Sequence, residues 1–488
     1  MAGIDEIKKI RLKKLKGIES AGLLGYPGEV KRTHTSKEAL DSFSKLSKSK
    51  EELFLVGRIM SLRQHGGLLF SNIEDGFGGI QILFKKDSLG IKGYKFFLDH
   101  FDVGDFIQAK GELFKTKRGE KSLQVNDYKM LTKSLLPLPE KWHGIKDVDD
   151  RFRKRYLDLI FNPDVKEKLL LRSKIIKELG FFMQDRGFLE VETPILQPVY
   201  GGATAKPFKT RLNALDMDLY LRISPELYLK RLLVGGFEKV YEIGRCFRNE
   251  GMDRAHNPDF TMLEFYWAYA NYKELMGFTE EMFGHLLKKL FGKLEIEYEG
   301  ERLNFKAPWK RVEYNEIFRK YTKIKLDEIN ISALKKEAKK LGIKEIGGGK
   351  FEIADEIFKK VIRSKIEEPT FIIHYPAEAF PLAKPLDKNS KKSASFQLII
   401  MGMEIIKAYS ELNNPLVQKD RFKEQEKIFE KGFGEAQRMD KDYIEALEYG
   451  MPPAAGWGMG VERLVMLLTD SHSARETILF PTMKSKEQ

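Results

Sequence analysis

Residues 237–269, FEKVYEIGRCFRNEGMDRAHNPDFTMLEFYWAY, form two segments in which apolar and polar side chains alternate, joined by the polar stretch GMDRAHNP. This pattern predicts an antiparallel hairpin. One face would be apolar: Tyr241, Ile243, Phe247, Leu263, Phe265 and Trp267. The other would carry charged and aromatic groups: Glu242, Arg248, Glu250, Phe260, Glu264 and Tyr266. Charges are costly to bury without partners, so the second face predicts a binding site, although a half-solvated sheet would alternate in the same way.

Composition narrows the classes of protein to which the chain can belong. Its 488 residues suggest two to four domains, and 42% hydrophobic residues are typical of a globular protein. An excess of 85 Lys and Arg over 72 Asp and Glu fits either a polyanion-binding surface or a generally basic protein. Cys246 is the only cysteine, which excludes an intrachain disulfide and a cysteine-based zinc or iron–sulfur site. Without a long apolar run or a signal peptide, the sequence predicts a cytoplasmic protein that does not enter membranes.

The order of patterns along the chain predicts its domains. Residues 1–50 form a basic N-terminal segment whose helix either docks by its apolar side or contacts RNA. Five alternating segments in residues 51–135 predict a small oligonucleotide-binding barrel, and residues 136–165 predict a linker. The remainder, residues 166–488, forms a second domain with a helical insertion at about 270–368. No phosphate-binding glycine loop is present, so phosphate would be bound by side chains.

Three segments resemble the signature motifs of the class II aminoacyl-tRNA synthetases. GFLEVETP at 187–194 is similar to motif 1, FRNEG with HNPDFTMLEFY within about 240–266 to motif 2, and GWGMGVERLVML at 456–467 to motif 3. Within this class, YGGATAKPF, AYSELNN and DSHSARETILFP resemble the lysyl-tRNA synthetase family. The resemblance implies an α+β fold, with an antiparallel sheet, flanking helices and an N-terminal five-stranded barrel. It also implies ATP-dependent activation of L-lysine to lysyl-adenylate, transfer to the 3′ end of tRNA(Lys), and a homodimer formed through motif 1.

The resemblance also assigns residues to the nucleotide. Arg248 would hold the α-phosphate and the attacking carboxylate, Arg463 would lie along the phosphates, and Phe260 would stack on adenine. The pocket would be completed by Glu250, His256 and Asn257. Guanidinium groups suit this task because they can donate two parallel hydrogen bonds to phosphate or carboxylate oxygens.

Selection of lysine is an electrostatic problem, because an unpaired buried charge costs more than a misfitting methylene. By resemblance, Glu264 and Glu411 bind the ε-ammonium with Tyr266 beside them. The α-amino group would be bound by Glu226 and the Gly202 backbone, and Gly458 would allow close approach of the substrate.

The metal positions depart from the family pattern. Glu404 matches a magnesium ligand that also belongs to the ATP site, but the second metal position is occupied by Gln397, a neutral and weaker ligand. Lys407 stands where the family has an asparagine near the substrate carboxylate. Its ammonium could pair with that carboxylate, or repel the lysine side chain if it turns inward. Strict alternation puts Glu404 and Glu411 on opposite faces, which predicts either a bulge between them or a misassigned acid.

In the barrel, the resemblance implies that Phe70 stacks on an anticodon base while Arg63, Gln81 and Glu120 contact base edges. Three other functions remain open at this stage. A regulatory RNA-binding relative would have lost activation, a protein-modifying relative would not need the barrel, and an aspartate or asparagine enzyme would not keep two acids at the side-chain pocket.

Overall fold

The computed structural model describes residues 3–139, 145, 147–343, 349–430 and 438–485. The chain divides into two compact units, Met1–Lys146 and Asp147–Gln488. The first unit has helices α1 (Ile4–Ser20), α2 (Ser36–Asp41), α3 (Phe43–Ser49) and α4 (Lys86–His100), and strands β1 (Leu53–His65), β2 (Leu68–Glu74), β3 (Gly79–Lys85), β4 (Phe106–Lys115) and β5 (Lys121–Thr132). The strands close into a barrel in the order β1-β2-β3-β5-β4, which confirms the five-stranded barrel.

Helix α1 contacts the rest of the first unit through both polar and apolar groups. Arg11 is buried and donates hydrogen bonds to the carbonyl oxygens of Val103, Ser134 and Leu136 at 2.9–3.1 Å. Lys14 forms an ion pair of 2.6 Å with Asp102. Ile18, near the end of the helix, is fully buried in the apolar core of this unit, whereas Ile4, Ile10 and Leu12 are exposed, so the expected apolar side docks in part. The exposed side carries Lys8, Lys9, Lys13 and Lys16.

The second unit is larger and mixed. Its helices are α5 (Val148–Arg153), α6 (Arg155–Phe161), α7 (Pro163–Asp185), α8 (Glu226–Val234), α9 (Tyr272–Phe291), α10 (Tyr314–Thr322), α11 (Ile331–Lys340), α12 (Lys350–Ile357), α13 (Pro415–Glu430), α14 (Lys441–Glu448), α15 (Val461–Leu468) and α16 (Ala474–Thr477). Its strands are β6 (Leu189–Glu190), β7 (Leu196–Gln197), β8 (Lys209–Leu212), β9 (Met217–Leu221), β10 (Lys239–Phe247), β11 (Asp259–Ala268), β12 (Glu295–Tyr298), β13 (Glu301–Asn304), β14 (Lys310–Glu313), β15 (Thr370–Ile373), β16 (Pro385–Leu386), β17 (Asn389–Ser393), β18 (Ser395–Ile400), β19 (Met403–Ser410) and β20 (Ala454–Gly460). Helices α5 and α6 lie within the segment expected to be a linker.

An eight-stranded sheet organises this unit, in the order β14-β15-β18-β19-β20-β11-β10-β6. The pairs from β15 to β10 are antiparallel, and only the two edge pairs are parallel, which confirms the α+β class with an antiparallel sheet. The predicted hairpin is β10 paired with β11, with Glu242 opposite Glu264.

Two apolar cores cover the two faces of the sheet. One contains α7, α9 and α15 packed on Tyr241, Phe265 and Trp457, as the alternation predicts. The other contains α8, α10, α11 and α12, and it reaches Tyr266 and Tyr409. Of the segment expected to be an insertion, α9 and β14 belong to the main sheet and its first core, so α10–α12 are its separate layer. Within the described ranges, no helix is both long and apolar enough to cross a membrane.

Candidate active site

The candidate site lies on the face of the sheet that carries the polar side chains of β11. Strand pairing places Glu264 opposite Gly458, Gly458 opposite Lys407, and Lys407 opposite Gln397, so these four residues form one row across β11, β20, β19 and β18. The glycines of β20 leave room above the sheet. A Cβ atom at Gly456 would lie 2.2 Å from Glu411 Oε1 and 2.4 Å from the ring of Tyr266, which explains why no larger residue fits there.

A bulge in β19 determines on which face of the sheet Glu404 and Glu411 lie. Leu398 pairs with Ile406, whereas the next residue, Ile399, pairs with Glu404, so one extra residue is accommodated in β19. This places Glu404 on the same face as Lys407 and the following alternate residues, up to Glu411. The first of the two sequence-based alternatives is therefore correct.

One end of this face is acidic. Glu264 accepts hydrogen bonds from Ser224 Oγ at 2.8 Å and from Tyr266 Oη at 3.3 Å. Glu226, the first residue of α8, accepts hydrogen bonds from Tyr409 Oη at 2.8 and 3.0 Å. Glu411 is buried at the end of β19, beside the other two acids. The structure thus brings together Glu226, Glu264 and Glu411, with Tyr266 between them.

A residue that the sequence analysis did not select, Lys230, holds this acidic end together. Its ammonium is fully buried, lies 2.5 Å from Glu226 Oε1 and forms an ion pair with Glu411. Although burial alone would lower it, the pKa of Lys230 is raised by the carboxylates of Glu226 and Glu411. Lys230 lies four residues after Glu226 on α8, and this spacing of opposite charges was the signal available in the sequence.

Burial makes two of these acids, Glu264 and Glu411, harder to ionise. Burial, reinforced by the charge of Glu226, raises the pKa of Glu264 to about 8. Burial also raises the pKa of Glu411 above its usual range, against the lowering effect of Lys230. A cationic ligand would reverse the effect on Glu264, because an adjacent positive charge favours the carboxylate.

Gly202 lies beside the acidic end. Its φ of +86° is in the left-handed region, and a Cβ atom there would lie 2.8 Å from both Glu226 Cβ and Ser224 Oγ. Both the conformation and the space therefore require glycine, which brings the backbone close to Glu226.

The other end of the face is basic. Arg248 has no ion pair in the described part of the chain; its guanidinium lies 5.0 Å from the Phe260 ring centroid and reaches the carbonyl oxygen of Ile223 at 3.4 Å. Arg463 donates to the carbonyl oxygen of Glu404 at 2.7 Å. Burial lowers the pKa of Arg463, and the neighbouring Arg248 and Arg363 act in the same direction. Arg248 and Arg463 therefore share one region, as predicted.

The β10–β11 turn supports this basic end. His256 accepts a hydrogen bond from Arg463 at Nε2, 2.7 Å away, while its Nδ1 lies 2.8 Å from Asp253 Oδ1. Asp253 was not among the predicted residues, and it fixes the tautomer in which His256 Nδ1 carries the proton. Asn257 donates from Nδ2 to Asp259 at 2.8 Å, and its buried Oδ1 has no hydrogen-bond partner among the residues that the structure describes. Glu250 is exposed and accepts from the Lys206 backbone at 3.2 Å.

The two residues expected to bind metal ions, Glu404 and Gln397, differ in their hydrogen bonding. The Glu404 carboxylate has no hydrogen bond or ion pair within residues 3–139, 145, 147–343, 349–430 and 438–485, so it is available to a ligand. Gln397 instead accepts a hydrogen bond from Tyr375 Oη at 2.7 Å. In the part of the chain that is described, no three His, Cys, Asp or Glu side chains converge as a metal site.

In the first unit, the predicted base-contacting residues lie on the outer face of the barrel. Arg63 pairs with Phe70 across β1 and β2, and Gln81 lies on the same face of β3. Gln81 accepts a hydrogen bond from Ser122 Oγ at 2.8 Å. Glu120 is exposed at the start of β5, two residues before Ser122, and therefore at the edge of this face.

Comparison with known proteins gives a separate family match for each of the two units. Residues 54–131 match the family described as OB-fold nucleic acid binding domain. Residues 147–484 match the tRNA synthetases of class II (D, K and N), so the second unit is the catalytic domain of a class II tRNA synthetase. The lysine–tRNA ligase of Carboxydothermus hydrogenoformans is 49% identical over 487 residues, 99% of each chain. That of Syntrophomonas wolfei is 47% identical over 489 residues, 99% of this chain and 98% of the relative. The chain belongs to the lysine–tRNA ligase family.

Proposed function

We propose that the chain activates L-lysine with ATP and transfers the lysyl group to the 3′ end of tRNA(Lys), as a lysine–tRNA ligase. The observation that carries this proposal is the division of one sheet face into an acidic end and a basic end. A lysine side chain is cationic and the triphosphate is anionic, so a face divided in this way fits both ends of the reaction. Full-length similarity to lysine–tRNA ligases supports the same reaction.

The acidic end would select lysine. Glu264 and Glu411 would bind the ε-ammonium, with the hydroxyl of Tyr266 completing its contacts. Glu226 and the Gly202 backbone would bind the α-amino group, and Gly458 would let the substrate approach the sheet. An acidic substrate side chain would meet these carboxyl groups, and the one ammonium among them, Lys230, is already paired with Glu226 and Glu411, which disfavours aspartate.

The basic end would carry the chemistry. Attack of the lysine carboxylate on the α-phosphate brings two anions together, so catalysis requires positive charge at the meeting point. Arg248 would bind the α-phosphate and the attacking carboxylate, and Arg463, oriented by His256, would bind the phosphate chain. Phe260 would stack on adenine, and Glu250 and Asn257 would complete the nucleotide pocket.

Mg²⁺ fits at Glu404, whose carboxylate is free for a metal that the nucleotide phosphates would also bind. When bound, the ion would neutralise phosphate charge. Gln397 does not fit as a second metal ligand of comparable strength, because its side chain is neutral and its oxygen already accepts a hydrogen bond from Tyr375.

The anticodon would be read by the outer face of the barrel. Phe70 would stack on a base, while Arg63, Gln81 and Glu120 would contact base edges. Phe70→Ala should weaken tRNA(Lys) binding by about 1–3 kcal/mol, the usual worth of a base–aromatic stack, and leave lysine-dependent pyrophosphate exchange unchanged. Equal loss of both activities would contradict this role.

A homodimer would form through motif 1. Large apolar side chains on α7 and around β6 and β7 are exposed in the single chain: Leu170, Phe181, Leu189, Ile195 and Leu196. Large exposed apolar side chains of this kind are typical of an interface where they cluster. Sedimentation equilibrium should give twice the mass of one chain; a monomer at micromolar concentration would contradict the dimer.

The test of the function is ATP–pyrophosphate exchange with each of the twenty amino acids, followed by aminoacylation of tRNA(Lys). Exchange should depend on L-lysine and exceed that with every other natural amino acid. An RNA-binding relative without activation would show no exchange, and a protein-modifying enzyme would show exchange without aminoacylation of tRNA.

A further inference from the structure

Lys407 and Gln397 occupy adjacent positions in the middle of the candidate site. They face each other across β19 and β18, and Lys407 also lies opposite Gly458 on β20. On the assignment proposed above, this is the place where the acidic end meets the basic end. Gln397 is neutral, whereas Lys407, which lies opposite it, is a basic residue.

The ammonium of Lys407 contacts an aromatic ring. It lies 4.1 Å from the ring centroid of Phe380, and no hydrogen bond or ion pair to it exists among the described residues. The charged groups that interact with it at longer range are Glu404, Glu226, Arg248 and Asp355. Burial lowers the pKa of Lys407. A desolvated ammonium without a carboxylate costs stability, and the contact with Phe380 recovers only part of that cost.

A second cation faces the same region from the layer formed by α10–α12. The chain widens into a π-helical turn at Phe358–Ile362 directly after α12, and Arg363 follows it. Wide turns of this kind recur at functional sites. Arg363 is partly buried, has no hydrogen bond or ion pair from its side chain within the described ranges, and interacts electrostatically with Arg463. Glu404 also interacts with Arg463, so the carboxylate that could bind a metal ion lies in the same region as these cations.

We propose that Lys407 and Arg363 form, with Arg248 and Arg463, a cradle of fixed cations that binds the reacting anions in place of a divalent ion at Gln397. The active site would then use a single metal ion, at Glu404. This inference rests on the proposed lysine–tRNA ligase reaction. It concerns which groups neutralise the negative charge of the reacting anions. The cradle would bind anionic oxygens, which are present both in the nucleotide phosphates and in the carboxylate of lysine.

Binding measurements test the cations directly. Lys407→Met and Arg363→Gln should each weaken binding of a non-hydrolysable ATP analogue, of L-lysine, or of both, by at least tenfold in EDTA. A loss confined to the analogue assigns the group to phosphate. A loss seen with L-lysine but absent with L-lysinamide assigns it to the carboxylate. Lys310→Met, which removes an ammonium that pairs with Glu368 on the exposed edge of the same sheet, should change none of these affinities.

Thermal unfolding separates a binding role from a structural one. Removing an unpaired ammonium should leave the midpoint of Lys407→Met unchanged or raise it, while ligand binding is lost. The proposal of a cation cradle is wrong if Lys407→Met and Arg363→Gln both keep the wild-type affinities. It is also wrong if both variants lose binding only because they unfold. Lys407→Arg, which keeps the charge, should recover most of the affinity.

The number of bound metal ions tests whether the fixed cations replace a divalent ion at Gln397. With saturating ATP analogue and L-lysine, electron paramagnetic resonance should count one bound Mn²⁺ per chain in the wild type. Restoring an acid and removing the ammonium, in Gln397→Glu/Lys407→Asn, should raise the count to two. Two ions in the wild type would overturn the proposal. Lysine-dependent pyrophosphate exchange by the wild-type protein, measured in parallel, shows separately whether the proposed function itself holds.

Discussion

The acidic and basic ends of the candidate site solve the problem of buried charge in opposite ways. At the acidic end, the protein supplies its own counter-charge: Lys230 is held between Glu226 and Glu411, and Glu264 retains a proton to about pH 8. At the basic end, Arg248 has no acidic partner in the described part of the chain, and Arg463 is held only by a carbonyl oxygen and His256.

This difference suggests how each end recognises its ligand. At the acidic end, Glu264 holds a proton before lysine arrives, so the arriving ammonium must displace it. At the basic end, neither Arg248 nor Arg463 has an ion pair among the described residues, so an arriving phosphate gains attraction without breaking one. The first arrangement favours selectivity, and the second favours stabilisation of developing charge.

The largest effect should come from removing the internal cation. Lys230→Met leaves Glu226 and Glu411 buried without their ammonium, and breaking a buried ion pair in this way costs about 3–5 kcal/mol of stability. Chemical denaturation followed by circular dichroism measures this loss.

The double variant Lys230→Met/Glu411→Gln serves as the control, because it removes one of the two stranded charges. It should recover a large part of the lost stability. A single variant as stable as the wild type would show that Lys230 does not neutralise the acidic end.

At the basic end, Arg248→Ala should leave stability almost unchanged, since no ion pair is broken. The rate of lysine-dependent pyrophosphate exchange should fall by about 10²–10³, the usual cost of losing one group that stabilises transition-state charge. Arg248→Lys should restore only part of the rate, because an ammonium cannot bind two oxygens in parallel. A large loss of stability with little loss of rate would mean that the two ends do not differ as described.

The sequence predicted the parts of this comparison that depend on alternation. The hairpin of β10 and β11, the apolar face with Tyr241 and Phe265, and the five barrel strands follow from residue spacing alone. Lys230 was missed because a lysine on a helix is usually solvated, and its burial depends on β19, almost two hundred residues later. Helix α4 was missed because Gly90, with a φ of 70°, interrupts its helical pattern.

The bulge in β19 shows where such reasoning ends. Alternation could establish that Glu404 and Glu411 conflict, but only strand pairing could show that the extra residue lies between Glu404 and Ile406.

A smaller effect is expected for Glu411→Gln. It removes one acid from the lysine side-chain pocket but leaves Lys230 paired with Glu226, so the fold should persist. Lysine activation should fall by at least about tenfold, equivalent to 1.4 kcal/mol, through a higher KM for lysine. The KM for ATP is the internal control. Wild-type kinetics would remove Glu411 from the lysine pocket.

The smallest effect concerns pH and isolates Glu264. Because its pKa is about 8 in the free protein, most chains hold the proton at pH 7 and must release it to bind an ammonium. Raising the pH ionises Glu264, so the affinity for lysine should increase, by about fivefold between pH 7.0 and 8.0, and level off above that range. Calorimetry at pH 7 in buffers of different ionisation enthalpy should detect nearly one proton released for each lysine bound. Glu264→Gln has no proton to release, so its weaker binding should not vary with pH in this interval, and an equal pH dependence in both proteins would place the titrating group elsewhere.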